Sequence, residues 1–374
     1  MNIEFVDLKR QLFGDSFLQT KGIYNEISKS LYECVKNTNF IMGSPLEKFE
    51  EEFAKYCGTK YCVGLNSGTD ALEFALLAND IKDGNVITVP NSYFSTASSI
   101  IQAGATPKFV DIDKDSYNLD YKKLEDKIDK NTKAIIPVHL YGRPSDMDKI
   151  MEIANRRGIK VIEDCCQAHG ARFYGKRVPI SGTGAFSFYP GKNLGCWGDG
   201  GAVVTNDEEV AKKVKMLRND GTTEKYNHQI IGRKSKLDTI QAAILSVKLK
   251  YLDGWNESRR KSAILYNSLL KELDDIKLPS LGDSIIEPVF HVYPILTSKR
   301  EELAKYLNEK GISTNIHYPT PIHLQKAYET LGFDRESFPI AEEVAKKTLS
   351  LPIFPELRND EIKYICENIR NFFS

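Results

Sequence analysis

Three short stretches hold residue types that can do chemistry together. The first is Phe186-Ser187-Phe188-Tyr189-Pro190-Gly191-Lys192-Asn193-Leu194-Gly195, which sets a lysine in a glycine-bounded loop among aromatics, just after a strand-like run. Desolvation there lowers an amine's pKa and makes it a nucleophile, whereas a lysine's ordinary fate is a solvated surface. The second is Asp164, directly after the strand-like run Val161 to Glu163. A buried carboxylate needs a cation or hydrogen-bond donors, and a helix cap or a buried ion pair would use it equally well. Gln167 and His169 follow closely and are candidates to line the same crevice. The third is Asn66-Ser67-Gly68-Thr69-Asp70, between a strand-like run (Tyr61 to Leu65) and a helical pattern. Glycine lets the backbone approach a ligand and a helix N-terminus suits a phosphate, although a plain turn with Ser, Thr or Asp as N-cap has the same spelling.

A lysine amine, a buried carboxylate and a phosphate cradle are what pyridoxal phosphate requires. The lysine holds the aldehyde as a Schiff base, the carboxylate pairs with the protonated pyridine nitrogen, and the cradle anchors the phosphate. Tyr93, after the run Val86 to Val89, is placed to stack on the ring or simply to pack. Other nucleotide motifs are missing. A P-loop ending in Gly191-Lys192 would need glycine at Phe186 and Ser or Thr at Asn193. No G-x-G-x-x-G follows a strand and opens a helix. The seven cysteines form no C-x-x-C pair and no zinc spacing with histidine, which points to reduced thiols in a cytoplasmic protein without a metal.

The elements that must position these groups alternate from residue 44 to about 206. Ser44-Pro45-Leu46-Glu47 has the spacing of a capping box, followed by Phe49, Phe53 and Tyr56 on one helix face and Gly58 as a stop. Strands are expected at Tyr61–Leu65, Val86–Val89, Pro107–Ile112, Ala134–Leu140 and Val161–Glu163. Helices are expected at Ala71–Leu77, Ser95–Ala103 and Tyr121–Asp129, and from a capping box at Ser145/Asp148 through Arg157. Ala185–Phe188 and Ala202–Thr205 read as strands without evident partners. The alternation implies an α/β fold with a mostly parallel sheet between helices, whose ligands bind beyond the strands' carboxyl ends. From Ser235 and Asp238 a long helix begins, with a bend or break at Asp253-Gly254 and a resumption to about Leu273. After it come a strand at Phe290–Leu296 and helices at Arg300–Lys310, Ile340–Leu349 and Asp360–Phe372. The expected division is a large domain, residues 1–245, and a smaller α+β domain, residues 246–374.

The composition sets outer bounds. The 374 residues carry 51 Lys plus Arg against 51 Asp plus Glu, so no basic surplus points to nucleic acid or an anionic membrane. No run of about 18 apolar residues offers a membrane span, and the first residues, MNIEFVDLKR, lack a signal peptide's pattern.

At these residues the chain resembles the DegT/DnrJ/EryC1/StrS family of sugar aminotransferases, which share the aspartate aminotransferase fold (fold type I). The likeness runs nearly end to end. It includes Phe5-Val6-Asp7-Leu8, Phe40 to Gly43, Asn66 to Leu72, Ala105 to Asp111, Pro137 to Gly142, Glu163 to Ala171, Phe186 to Gly201, Gln241 to Ile244 and His317-Tyr318-Pro319. The resemblance implies that Lys192 is the cofactor lysine and Asp164 the partner of the pyridine nitrogen. It implies that Gly68, Thr69 and Ser187 bind the phosphate, and that Gln167 and Tyr93 lie on opposite faces of the ring. Family dehydratases have histidine at the lysine position, so Lys192 implies transamination. Family members usually have a G-x-N-[SY]-R stretch whose Asn reaches the phosphate of the neighbouring subunit. Here the stretch is Gly232-Arg233-Lys234-Ser235-Lys236, so Lys234 stands in the Asn position, where an ammonium can make a charge-assisted contact.

The stretches from His317 to Gln325 and from Phe338 to Glu342 look most like the carbon-3 aminotransferases of dTDP-linked 3-keto-6-deoxyhexoses, with L-glutamate as donor. Tyr189, His317 and Tyr318 are then the candidate contacts to the sugar nucleotide. The implied assembly is a homodimer with shared sites, serving cell-surface glycan or antibiotic sugar synthesis. A carbon-4 aminotransferase acting on a UDP-linked 4-keto sugar, and a non-catalytic regulator that keeps the fold, are the alternatives.

Overall fold

Each apolar run between residues 61 and 205 forms a strand in the computed structural model of the chain, which describes residues 1–15, 21–224 and 226–374. The strands are β1 (Tyr61–Leu65), β2 (Asn85–Thr88), β3 (Thr106–Phe109), β4 (Thr132–Ile135), β5 (Lys160–Val161), β6 (Glu163–Asp164), β7 (Thr183–Ser187) and β8 (Gly201–Thr205). β3, β2, β4 and β5 lie side by side and all parallel. β6 runs parallel to β7, and β8 lies antiparallel between β7 and β1. Residues 160–164 join the two sets, because Ile162 donates to the Ile135 carbonyl (3.0 Å) and Asp164 to that of Pro137 (2.9 Å). The mostly parallel sheet expected from the alternation is therefore present. The two strands that lacked partners are hydrogen-bonded to each other as the arms of a hairpin, and its loop, residues 188–200, contains Lys192.

Side-chain alternation explains how both sheet faces are covered. Ala185 and Val203 point to a core shared with the helices Gly68–Ala78 and Glu208–Leu217. Phe186, Phe188, Ala202 and Val204 point the other way, to Phe49 and Phe53 of the Ser44–Cys57 helix and Ala242 and Leu245 of the Thr239–Leu249 helix. The C-terminal part pairs Tyr293–Leu296 with Thr348–Leu351 and packs them against the helices Leu252–Leu270, Arg300–Glu309 and Asn359–Phe373. Ile3 joins that core, while Ile322, Tyr328, Phe338, Ala341 and Val344 pack against the sheet side of the molecule.

Several element edges differ from expectation, each for a local reason. The first amphipathic helix is capped by Gly43, not Ser44, and makes no side-chain cap. Ser145 caps nothing either; it is buried, with its N–H on His139 Nδ1 (3.0 Å) and its hydroxyl on the Val138 carbonyl (2.9 Å), and the helix begins at Met147. Ser235 likewise bonds Asn66 (3.1 Å) rather than opening a helix, which Asp238 precedes. The long helix breaks at Lys250–Tyr251, ahead of Gly254, which lies inside the second segment. The helix over residues 121–129 is one α-turn followed by a 3-10 turn, and that over 340–349 ends at Lys347, where Thr348 starts a strand. The strands expected to reach Ile112 and Leu140 end at Phe109 and Ile135, and beyond them pairing continues as single bridges, Ile112 to Leu119 and Val138 to Asp164.

Candidate active site

The carboxyl ends of β1, β2, β6 and β7, together with the start of antiparallel β8, meet along one edge of the sheet. There they line a cavity of about 570 Å³. It collects Gly68, Thr69, Tyr93, Asp164, Gln167, Ser187, Tyr189, Lys192, His317 and Tyr318. Lys234 is not among the lining residues; it is exposed and bridges backbone to backbone with Asn219.

Asp164 is 5% exposed and held in place by two donors. Thr96 gives its hydroxyl to Oδ2 (2.8 Å) and Cys166 its N–H to Oδ1 (3.1 Å), while Ser92 in turn bonds the Thr96 hydroxyl (2.8 Å). Two donors leave lone pairs free toward the cavity.

Lys192 lies across from it, on a loop folded tightly back on itself. Its N–H bonds the Tyr189 carbonyl (2.8 Å), and Cys196 N–H bonds that of Phe188 (2.8 Å). Gly195 is required by this closure, since a Cβ there would stand 2.3 Å from the Pro190 carbonyl oxygen. Burial pushes the Lys192 amine below the usual lysine range, with Cys166 and Asp164 opposing the shift only in part. A lowered pKa enlarges the neutral, nucleophilic fraction near pH 7.

The cradle forms where the Gly68–Ala78 helix starts. Ser67 is its N-cap and accepts from Asp70 N–H (3.1 Å), so the first-turn N–H groups of Gly68 and Thr69 remain open to a ligand. A Cβ on Gly68 would approach Ser187 Cβ to 2.7 Å and Cys166 Sγ to 3.0 Å. Only glycine lets this helix end come so near the Ser187 strand end. The Thr69 hydroxyl bonds Ser95 Oγ (2.8 Å).

Apart from Asp199, the remaining walls are largely aromatic and neutral. Gln167 is fixed at both ends, accepting from Tyr141 N–H (2.7 Å) and donating to the Tyr318 hydroxyl (3.0 Å). Tyr318 lies 5.9 Å from Tyr93, ring to ring, and Tyr93 and Tyr189 are exposed at the mouth. His317 stacks on Phe5 (5.7 Å), bonds Ser350 Oγ (2.9 Å), and is pushed by burial down to about 4, so its imidazole is neutral at pH 7.

Sequence reasoning missed Phe5, Ser92, Ser95, Thr96 and His291. The run of hydroxyls just beyond β2 was the available signal for Ser92, Ser95 and Thr96, because every strand end on this edge contributes. Nothing local marks Phe5 or His291.

A flat, phosphate-bearing pyridine aldehyde fits this donor set: open N–H groups and a hydroxyl at one end, a held carboxylate, an amine, and tyrosine rings at the mouth. Among the described residues, His139, Glu163 and Cys165 are the group that comes close enough to hold a metal, with ligand atoms within 4.8 Å of one another. Both His139 nitrogens and one lone pair on each Glu163 oxygen are already committed. Ser145 N–H occupies His139 Nδ1, His139 Nε2–H donates to Glu163 (2.8 Å), and Ser181 N–H occupies the other Glu163 oxygen.

Residues 21–370 match the model of the DegT/DnrJ/EryC1/StrS aminotransferase family. A "pleiotropic regulatory protein" of Geobacillus stearothermophilus is 44% identical over 100% of this chain and 99% of its own. The dTDP-3-amino-3,6-dideoxy-alpha-D-galactopyranose transaminase of Aneurinibacillus thermoaerophilus is 44% identical over 93% of this chain and 95% of its own. Among solved structures, DesV of Streptomyces venezuelae in complex with a ketimine intermediate superposes with a TM-score of 0.94 at 40% identity, covering 99% of this chain and 98% of that one. NtdA of Bacillus subtilis with bound cofactor PMP gives 0.89 at 32% identity, covering 99% and 85%.

Proposed function

The chain belongs to the DegT/DnrJ/EryC1/StrS aminotransferase family, and from that premise we infer that it moves an amino group from L-glutamate to carbon 3 of a dTDP-linked 3-keto-6-deoxyhexose. Pyridoxal phosphate is the cofactor of this reading. The observation that carries it is the meeting of Lys192, Asp164 and the Gly68–Thr69–Ser187 cradle on one cavity. Carbon 3 and the dTDP carrier rest on the likeness to the Aneurinibacillus enzyme.

In this mechanism Gly68 and Thr69 N–H groups and the Ser187 hydroxyl hold the phosphate. Asp164, oriented by Thr96, keeps the pyridine nitrogen protonated. The cofactor supplies the electron sink that makes the donor's α-carbon acidic. Lys192 Nζ, its pKa lowered by burial, would relay that proton from the donor's α-carbon to the cofactor, and in the second half-reaction from the cofactor to carbon 3 of the sugar. Gln167 and Tyr93 bound the ring, and Tyr189, His317 and Tyr318 receive the sugar nucleotide. The donor and acceptor are used in turn at one site, which is ping-pong kinetics.

The described cavity lining has Lys192 as its one cationic side chain, while the phosphate and the donor carboxylates bring several negative charges. That shortage supports a homodimer in which Lys234 of one copy faces the phosphate of the other. No helix among the described residues is long and apolar enough to cross a membrane, and a cytoplasmic location with reduced cysteines completes the reading.

Incubation with L-glutamate and a 3-keto-6-deoxyhexose nucleotide, followed by mass spectrometry and NMR of the product, tests it. Nitrogen at carbon 3 is expected. Amination only of a UDP-linked 4-keto sugar replaces the substrate, and a protein that takes up no pyridoxal phosphate favours a regulator.

A further inference from the structure

Lys192 and Asp164 lie on segments that are remote in sequence, 189–196 and 164–169. One buried side chain belonging to neither segment bonds both. Asn256, in the Leu252–Leu270 helix and 1% exposed, accepts at Oδ1 from Asn193 Nδ2 (2.9 Å) and donates from Nδ2 to the His169 carbonyl (2.8 Å). Asn193 is the residue after Lys192, and its amide is further tied to the Val289 carbonyl (3.0 Å) and to His291 Nδ1 (3.2 Å). Room for this clamp is made at Gly170, where φ is +86° and a Cβ would stand 2.8 Å from Asn256 Nδ2. An amide suits the place because it presents an acceptor to one segment and a donor to the other, which neither a carboxylate nor an apolar side chain does. A buried network with its members paired holds one geometry.

We propose that Asn256 is a positioning residue for amino transfer, locking the loop of Lys192 to the segment of Asp164 so that amine and carboxylate keep a fixed separation across the cavity. It touches neither substrate nor cofactor. The proposal rests on the cavity being a pyridoxal phosphate site. Small displacements of a reacting amine cost up to about 100-fold in rate, so the loss belongs in kcat and in the titration of the cofactor–lysine link rather than in KM.

The test compares Asn256→Ala and Asn256→Asp with Asn267→Ala. Asn267 is an amide on the same helix that bonds Pro279 and Tyr293 (3.2 and 2.7 Å) and lies outside the cavity. The readouts on holoenzyme are the pH midpoint of the bound cofactor's visible absorbance, which needs no substrate, then kcat, KM and Tm. Asn256→Ala is expected to move the midpoint by about half a pH unit or more and to lower kcat about 10- to 100-fold with KM within about threefold. Asn256→Asp keeps the acceptor for Asn193 but replaces the donor to His169 with a buried carboxylate oxygen facing that carbonyl, so its midpoint and kcat are expected to change as well. Asn267→Ala lowers Tm and leaves midpoint and kcat at wild-type values. An unchanged midpoint and kcat in Asn256→Ala, or equal changes in Asn267→Ala, overturn the proposal. Should the alanine variant not fold, an unchanged midpoint in Asn256→Asp overturns it alone. Wild-type protein that binds no pyridoxal phosphate removes the functional reading and this proposal together; one that titrates normally but aminates no sugar removes only the substrate.

Discussion

Glu163 and Asp164 are neighbouring carboxylates on one strand, 0% and 5% exposed, and the strand's alternation sends them to opposite sides. Glu163 meets a closed set of partners: His139 Nε2–H on one oxygen and the Ser181 N–H on the other. Asp164 meets Thr96 and the Cys166 N–H, and its remaining lone pairs border a cavity that also holds Lys192. Each carboxylate accepts one hydrogen bond per oxygen, yet only Asp164 lines the cavity, so only its spare lone pairs are placed to take a ligand. Burial of a charge thus does not mark function by itself. What separates the two is whether the hydrogen-bonding capacity left over borders a cavity.

The sharpest way to break the comparison is on the cavity side. Lys192→Ala is expected to lower turnover by about 10⁴-fold or more, with no cofactor-modified peptide after borohydride treatment and an unchanged circular dichroism spectrum. Retained activity would remove the lysine from the chemistry. Asp164→Asn is expected to bind cofactor but to lose about 100- to 1000-fold in kcat, measured by steady-state kinetics at saturating cofactor.

The closed side should answer in stability instead. Glu163→Gln puts an N–H where an acceptor is needed and is expected to lower unfolding free energy by about 1–3 kcal/mol, seen as a smaller urea midpoint. Its kcat per folded enzyme should stay within about twofold of wild type. A large kcat loss at unchanged stability would erase the distinction between the two carboxylates.

A third carboxylate sharpens the comparison from outside both sets. Glu356 has a buried Oε2 with no partner, and burial raises its carboxyl to about 7 despite Arg259 and Lys248 nearby. Below about pH 4.5 it is protonated folded and unfolded, and above about 7 it is ionised in both, with the native state bearing the desolvation cost. Stability should therefore fall as pH rises between these values, by on the order of 1–2 kcal/mol. Glu356→Gln should flatten that slope in thermal melts run across the range.

Lys192, Asp164 and Gly68 were legible in the sequence because each lies at or within a few residues of the end of a recognisable strand, and ligands of such sheets bind beyond strand ends. Thr96 was not, since no pattern tells a threonine that it will face a carboxylate 68 residues away. Ser44 and Ser145 show the reverse error. Their spacing to Glu47 and Asp148 is that of a capping box, but the cap of the Ser44–Cys57 helix went to Gly43, and Ser145 was drawn to His139. Local hydrogen-bonding choices are close in energy, so a tertiary partner decides between them.

The sequence by itself determined most of the strands and helices between residues 44 and 205, and which chemical groups stand at their ends. Periodicity and loop chemistry are local properties, carried by residues a few positions apart. Only the tertiary structure decided that β8 enters antiparallel, so that the Lys192 loop closes over the Asp164 strand end, and that an asparagine from a later helix ties the two together. Those outcomes depend on long-range pairing and on complete satisfaction of buried polar groups, which no short stretch of chain encodes.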